Sequence, residues 1–106
     1  MAEILQGTTP SLEIEIDPND FAVNDVTVLE LAFRNGSTLL LKGLEDVTLD
    51  TEHNTITYHF TQAETLALDV KQALEYQCRF KFSDSSVVGT VKARINVRDL
   101  MSEETI

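Results

Sequence analysis

His53 and His59 are the only histidines in this 106-residue chain, so they are the first places to look for proton transfer or zinc binding. Their setting does not favour either chemistry. His53 falls in a turn-forming segment and His59 on the polar side of the strand that follows. A zinc site would need further Cys, His or carboxylate ligands at matched spacing. The single cysteine, Cys78, lies on the apolar side of its own strand, where a small buried thiol is the plain reading. The segment Asp17-Pro18-Asn19-Asp20 with Asn24-Asp25 collects oxygen ligands of the type calcium takes, but it lacks the EF-hand glycine and distal glutamate. Asp and Asn are equally the ordinary residues of turns, and both readings stay open. Ser83, Ser85 and Ser86 carry no nucleophile signature. Gly7, Gly36, Gly43 and Gly89 are scattered, so no phosphate-cradling loop exists. The expectation is a protein with no catalytic residue, no metal and no cofactor, and not an enzyme.

Recognition is the remaining chemistry. Arg79, Lys81, Lys92, Arg94 and Arg98 occupy the polar positions of two alternating stretches near the C-terminus. They form a candidate protein-contact face on a chain of net charge −10. Residues 1–70 hold 13 acidic and two basic side chains, a net of −11, while residues 71–106 hold five acidic and six basic, a net of +1. The overall charge disfavours nucleic acid and anionic membrane as partners. The basic stretch also lacks interleaved exposed aromatics, so an acidic protein surface, or another copy of the chain, suits it better. The plainer alternative is that both charged regions are solvated faces.

Those cations are placed by the segment Glu75 to Arg98, which reads as a β-hairpin. Tyr76, Cys78, Phe80 and Phe82 alternate with Glu75, Gln77, Arg79 and Lys81. After Ser83-Asp84-Ser85-Ser86, Val91, Ala93, Ile95 and Val97 alternate with Lys92, Arg94, Asn96 and Arg98. Two-residue alternation puts one set in a core and the other in water. Upstream, Leu12, Ile14 and Ile16 mark a first strand bracketed by Pro10 and Pro18, and Asp17 to Asp25 reads as a loop. Leu29, Leu31 and Phe33 define one face of a second strand from Val26 to Arg34. Asn35-Gly36 signals a hairpin. The apolar count favours a loop one residue longer than two, which would turn Leu39 and Leu41 of the return strand Thr38–Lys42 inward and Leu40 outward. Val47 and Leu49 mark a short strand, Asp50 to Asn54 a turn, and Ile56, Tyr58 and Phe60 a fifth strand. Thr61-Gln62-Ala63-Glu64 fits a capping box opening a short helical turn, with Leu66 and Leu68 tucked under the sheets.

The sum is an all-β, two-sheet antiparallel sandwich of about seven strands with one short helical turn. It reads as a single domain over 1–106, with residues 1–8 and 99–106 flexible or peripheral. The tail from Asp99 to Ile106, polar around Leu100, Met101 and Ile106, is either frayed or a short docking segment. Nothing after Met1-Ala2-Glu3 resembles a secretion signal, and the run Leu39-Leu40-Leu41 is far too short to span a bilayer.

Three segments carry a resemblance: Thr8-Thr9-Pro10, Phe60-Thr61-Gln62-Ala63-Glu64-Thr65-Leu66 and Ile95-Asn96-Val97-Arg98-Asp99-Leu100. In this order they resemble a family of small proteins encoded in prophages of Firmicutes. That family is similar to the N-terminal domain of baseplate upper proteins of lactococcal-type phages. The resemblance implies an immunoglobulin-like sandwich and a role in virion architecture, near the tail or baseplate. It implies other phage structural proteins or copies of the chain itself as partners, as a homo-oligomer where copies pair. The place of action would be the host cytoplasm during assembly and then the virion. It supplies no catalytic or ligand residues, and the chain lacks the long helical extension of the baseplate protein. An alternative from the charge alone is a small acidic inhibitor that mimics nucleic acid and binds a host protein, with Glu13, Glu15, Asp17 and Asp20 close together. A carbohydrate-binding sandwich is weakened by the absence of tryptophan.

Overall fold

The computed structural model describes residues 3–90 and 92–99. In chain order its elements are β1 (Glu3–Leu5), β2 (Ser11–Glu15), β3 (Val26–Asn35), β4 (Thr38–Gly43), β5 (Thr48–Asp50), β6 (Thr55–His59), the helical turn α1 (Gln62–Leu66), β7 (Leu74–Phe82), β8 (Val87–Gly89) and β9 (Ala93–Arg98). The large sheet runs β1-β9-β7-β3-β4, with β8 added beside β7, and the small sheet runs β2-β6-β5. The fold is therefore an all-β two-sheet sandwich. Its strands pair antiparallel except β1, which runs parallel to β9.

The alternation seen in the sequence builds the core. Leu29, Leu31 and Phe33 of β3, Cys78 and Phe80 of β7, and Ile95 and Val97 of β9 are buried with Leu12, Ile56, Tyr58 and Phe60 from the other side. Phe33 is an aromatic hub, 5.3 Å from Tyr58 and 5.0 Å from Phe60 between ring centroids. The capping box forms as expected. The Glu64 N–H donates to the Thr61 hydroxyl at 3.2 Å, and the Thr61 N–H donates to the Glu64 carboxylate at 2.9 Å. The helical turn buries Thr65 completely, while Leu66 and Leu68 are only half-buried. The Thr65 hydroxyl donates to the Thr8 carbonyl at 2.7 Å.

Four expectations are corrected. The strand count exceeds about seven because β1 forms and because the final return divides into β8 and β9. Residues 1–8 are not wholly peripheral: Glu3–Leu5 completes the large sheet, and Ile4 is 1% exposed. A three-residue strand with one inward side chain shows no alternation to read.

The third correction is the register after Asn35. Asn35 pairs with Thr38, Phe33 with Leu40 and Leu31 with Lys42, so the loop is the two residues Gly36 and Ser37. Leu40 therefore turns inward, and Leu39 and Leu41 are 60% and 54% exposed. Two local forces outweigh the apolar count. Gly36, at φ +61°, is the first residue of a two-residue turn whose twist suits a hairpin. Asn35 is the last inward residue of β3, where its side chain anchors the approach to β7. Its Nδ2 donates to the Asp69 and Gln72 carbonyls at 3.2 Å, and its Oδ1 accepts from the Asp69 N–H at 2.6 Å.

The fourth concerns the final hairpin. β8 pairs Phe80 with Val88, whereas β9 pairs Tyr76 with Ala93. These pairings differ in register by one residue, so the return carries one extra residue between the two strands. Val91 and the tail from Leu100 to Ile106 lie outside the described residues.

Candidate functional site

The outer face of the large sheet is where the predicted cations gather. Arg79 and Lys81 project from β7, Arg94 and Arg98 from β9, and Lys92 stands just before β9. All five are exposed. β7 and β9 pair Glu75 with Arg94, which places the two groups of cations side by side on one surface.

Cross-strand pairing neutralises part of this face. Arg79 lies directly opposite Glu30 and bonds it from Nε and a terminal nitrogen at 3.1 and 2.7 Å. Arg34 is opposite Glu75 at 3.0 Å, and Arg98 reaches Glu3 at 2.9 Å. The Arg34 guanidinium holds the Glu75 carboxyl below its ordinary pKa, and Lys92 and Arg94 add to the effect. Exposed pairs of this kind are screened by water and salt, so they set register and surface potential more than stability. Among the described residues Lys81, Lys92 and Arg94 have no ion pair. The division between an acidic body and a basic hairpin is thus partly resolved inside the chain, strand against strand.

The sequence did not reveal the apolar part of this face. Leu39 and Leu41 emerge on the outer side of β4 because of the two-residue turn, beside Ala32 of β3. Val28, 54% exposed, stands opposite Lys81 on the same side. A shallow depression of about 110 Å³ is lined by Ala32, Arg34, Leu39, Glu75, Tyr76, Gln77 and Lys92, joining the exposed Leu39 to Lys92 across the Arg34–Glu75 bridge. Only the register could have shown this, since the same leucines read as core under a longer loop.

The chemistry-bearing residues do not converge. Cys78 is fully buried, and burial pushes its thiol up to about 12, so it stays protonated. His59 shares a 2.7 Å hydrogen bond with the Ser11 hydroxyl across the β2–β6 ladder. His53 sits in its turn, 2.7 Å from the Asp50 carboxylate, which raises the His53 pKa. Asp17 closes its own turn by accepting the Asn19 N–H at 2.9 Å. The Asp17–Asp25 loop is held from outside by Asn54, whose amide donates to Ile16 and Phe21 carbonyls and whose oxygen accepts the Val23 N–H. Among the described residues, no group of three or more His, Cys, Asp or Glu side chains could hold a metal ion.

Inside the sandwich rim one polar group was legible only in part. Glu64, besides closing its capping box, accepts the Tyr58 hydroxyl at 2.7 Å and lies 3.1 Å from the Lys42 ammonium. Burial raises the Glu64 carboxyl, but the Thr61 N–H, the Tyr58 hydroxyl and Lys42 together outweigh it and leave it below its ordinary value. Burial and this carboxylate push the Tyr58 phenol up to about 12. The arrangement fastens α1 to β4 and β6.

No protein-family model matches the sequence, and no curated protein matches it. Among the described residues no helix is long and apolar enough to cross a membrane.

Proposed function

We propose that this chain is a non-enzymatic structural protein of a phage or prophage, associated with the tail or baseplate, that works through protein–protein contacts made by the outer face of its large sheet. It acts in the host cytoplasm during assembly and within the virion afterwards. The observation that carries the contact is the depression joining Leu39 to Lys92 across the Arg34–Glu75 bridge. Exposed leucines beside paired and unpaired charges have the composition of a docking surface, with apolar area for affinity and cations for orientation. The phage assignment is supported by the ordered segments around Thr8, Thr61 and Asn96 and by the sandwich fold. A neighbouring copy offers complementary acid, since residues 1–70 carry a net of −11. A head-to-tail contact of that kind builds rings or filaments.

Sedimentation velocity at low and high salt, together with mass spectrometry of particles purified from the host, tests the reading. Salt-sensitive assembly, lost when Leu39→Ser and Leu41→Ser are combined or when Arg79, Lys92 and Arg94 are replaced by glutamate, is the expected result. A strictly monomeric chain at high concentration and low salt that is also missing from particles refutes it. Recovery of a host nucleic-acid enzyme instead of phage structural proteins would favour the acidic inhibitor.

A further inference from the structure

A second surface lies away from this face. An open groove of about 800 Å³ runs between the end of β2 with its following loop and the free side of β8. Its apolar lining includes Phe21, Phe80, Phe82 and Val88, with Phe21 4.9 Å from Phe80 and 5.1 Å from Phe82 between ring centroids.

One wall of the groove is an unfinished sheet edge. The Phe82 N–H donates to the Ser86 carbonyl at 3.1 Å, and the Thr90 N–H donates to the Cys78 carbonyl at 2.8 Å. These bonds fix the phase of the ladder. Ser86, Val88 and Thr90 face β7, so the N–H and C=O groups of Val87 and Gly89 point to the opposite side. Among the described residues β8 pairs with β7 alone. Val87 and Val88 are 58% and 44% exposed on this three-residue strand. An edge with free backbone groups and apolar side chains is a template for a further strand.

The rim decides what strand that would be. Glu15, Asp17, Asp20, Asp25 and Asp84 line the groove, and it has no Lys, Arg or His among its lining residues. Two copies joined edge to edge through β8 would bring two such acidic rims together, which disfavours self-pairing. We infer that the groove receives an extended cationic peptide segment of another protein, added as a strand to β8, with its basic side chains on the groove side, their stems over the Phe21–Phe82 floor and their charges toward the acidic rim, and its alternate apolar side chains on the opposite face beside the exposed Val87. This site holds or fails independently of the outer face, whose test reads assembly rather than peptide binding.

Amide NMR of the whole chain, titrated with a capped heptapeptide of alternating lysine and valine, tests it. The expected result is slowed hydrogen exchange at Val87 and Gly89, with no such effect from the glutamate–valine counterpart. Gly89→Ala should bind like the parent, because the added Cβ meets only ordinary contacts at 3.8 Å and the N–H is kept. Gly89→Pro removes that outward N–H and should abolish binding. Combined Asp17→Asn and Asp20→Asn should weaken binding roughly five- to tenfold, while an asparagine oxygen still accepts the Asn19 N–H. The inference is overturned if the glutamate peptide binds equally or if the two asparagine substitutions leave affinity unchanged. It is also overturned if folded Gly89→Pro binds like Gly89→Ala, or if Val87 and Gly89 become protected with rising protein concentration in the absence of peptide.

Discussion

β3 turns into β4 across Gly36 and Ser37 and keeps one register from Asn35 with Thr38 to Glu30 with Gly43. β7 turns into its return across residues 83–86, and its register changes by one between β8 and β9. The extra residue is the useful difference. In the β7 return it lets Val88 share a face with Phe80 and Ile95 share a face with Leu74, although the two pairs have different phase. The β3–β4 hairpin has no such residue, so its turn and the Asn35 anchor set one phase throughout. Leu39 and Leu41 then go to solvent and Lys42 turns inward. A sheet can thus keep its apolar pattern by inserting a bulge, or keep a tight turn and expose part of the pattern. The exposed part is what we assign to docking.

Side-chain deletions on the two hairpins should break this comparison most sharply. Phe80→Ala, at a 1% exposed site on β7, should cost about 3–5 kcal/mol in urea unfolding. On β4, Leu40→Ala should cost about 1–2 kcal/mol because that leucine is half-buried, and Leu39→Ala should stay within about 0.5 kcal/mol. A reversed order for Leu39 and Leu40 would mean that the longer loop is the true one.

The anchor comes next. Asn35→Ala removes the partners of the Asp69 N–H and of the Asp69 and Gln72 carbonyls, and should cost about 1–3 kcal/mol. Amide exchange over residues 69–73 should accelerate at the same time. If that segment stays protected, the turn alone sets the register of β4.

How far the sequence shows this fold depends on how many residues vote. β3 repeats its apolar alternation over Leu29, Leu31 and Phe33 and β7 over Tyr76, Cys78, Phe80 and Phe82, and their faces are legible without coordinates. β1 has one inward residue, and β8 has three residues with valines on both faces, so neither carries a pattern. The five cations were legible as a group because they share one phase. The pairing of two of them, Arg79 with Glu30 and Arg98 with Glu3, was not, since it depends on which strand lies beside which. Asn35 and Asn54 read as ordinary turn residues, and only long-range packing reveals them as buried clamps. The leucine face was misplaced for a single reason: one residue of loop length inverts every side chain that follows.

The glycines of the two regions should differ by a smaller margin. Gly36 has φ +61°, and a Cβ there would approach the Gln72 side chain at 3.3 Å, so Gly36→Ala should cost about 1–2 kcal/mol. Gly89 lies in an extended strand with 3.8 Å to its nearest neighbours, so Gly89→Ala should be neutral within about 0.5 kcal/mol. Equal effects would remove the claim that the first turn is conformationally dictated and the second is not.

The smallest effect follows from the inward lysine that the β4 register creates. Lys42 stabilises the Glu64 carboxylate, whose folded pKa lies below its ordinary value of 4.5. A carboxyl with a depressed folded pKa contributes stability that is complete above the unfolded value and lost as pH falls through the folded one. Lys42→Met keeps the apolar stem and removes the charge, so the Glu64 pKa should rise toward normal and the acid-induced loss should shrink. At neutral pH the variant should be less stable by no more than about 1 kcal/mol, and in acid below the folded Glu64 value the two proteins should converge. Urea midpoints measured across that range check both statements. An unchanged acid limb would mean that the Thr61 N–H and the Tyr58 hydroxyl hold the carboxylate unaided, and that the lysine on β4 is inward only because the turn put it there.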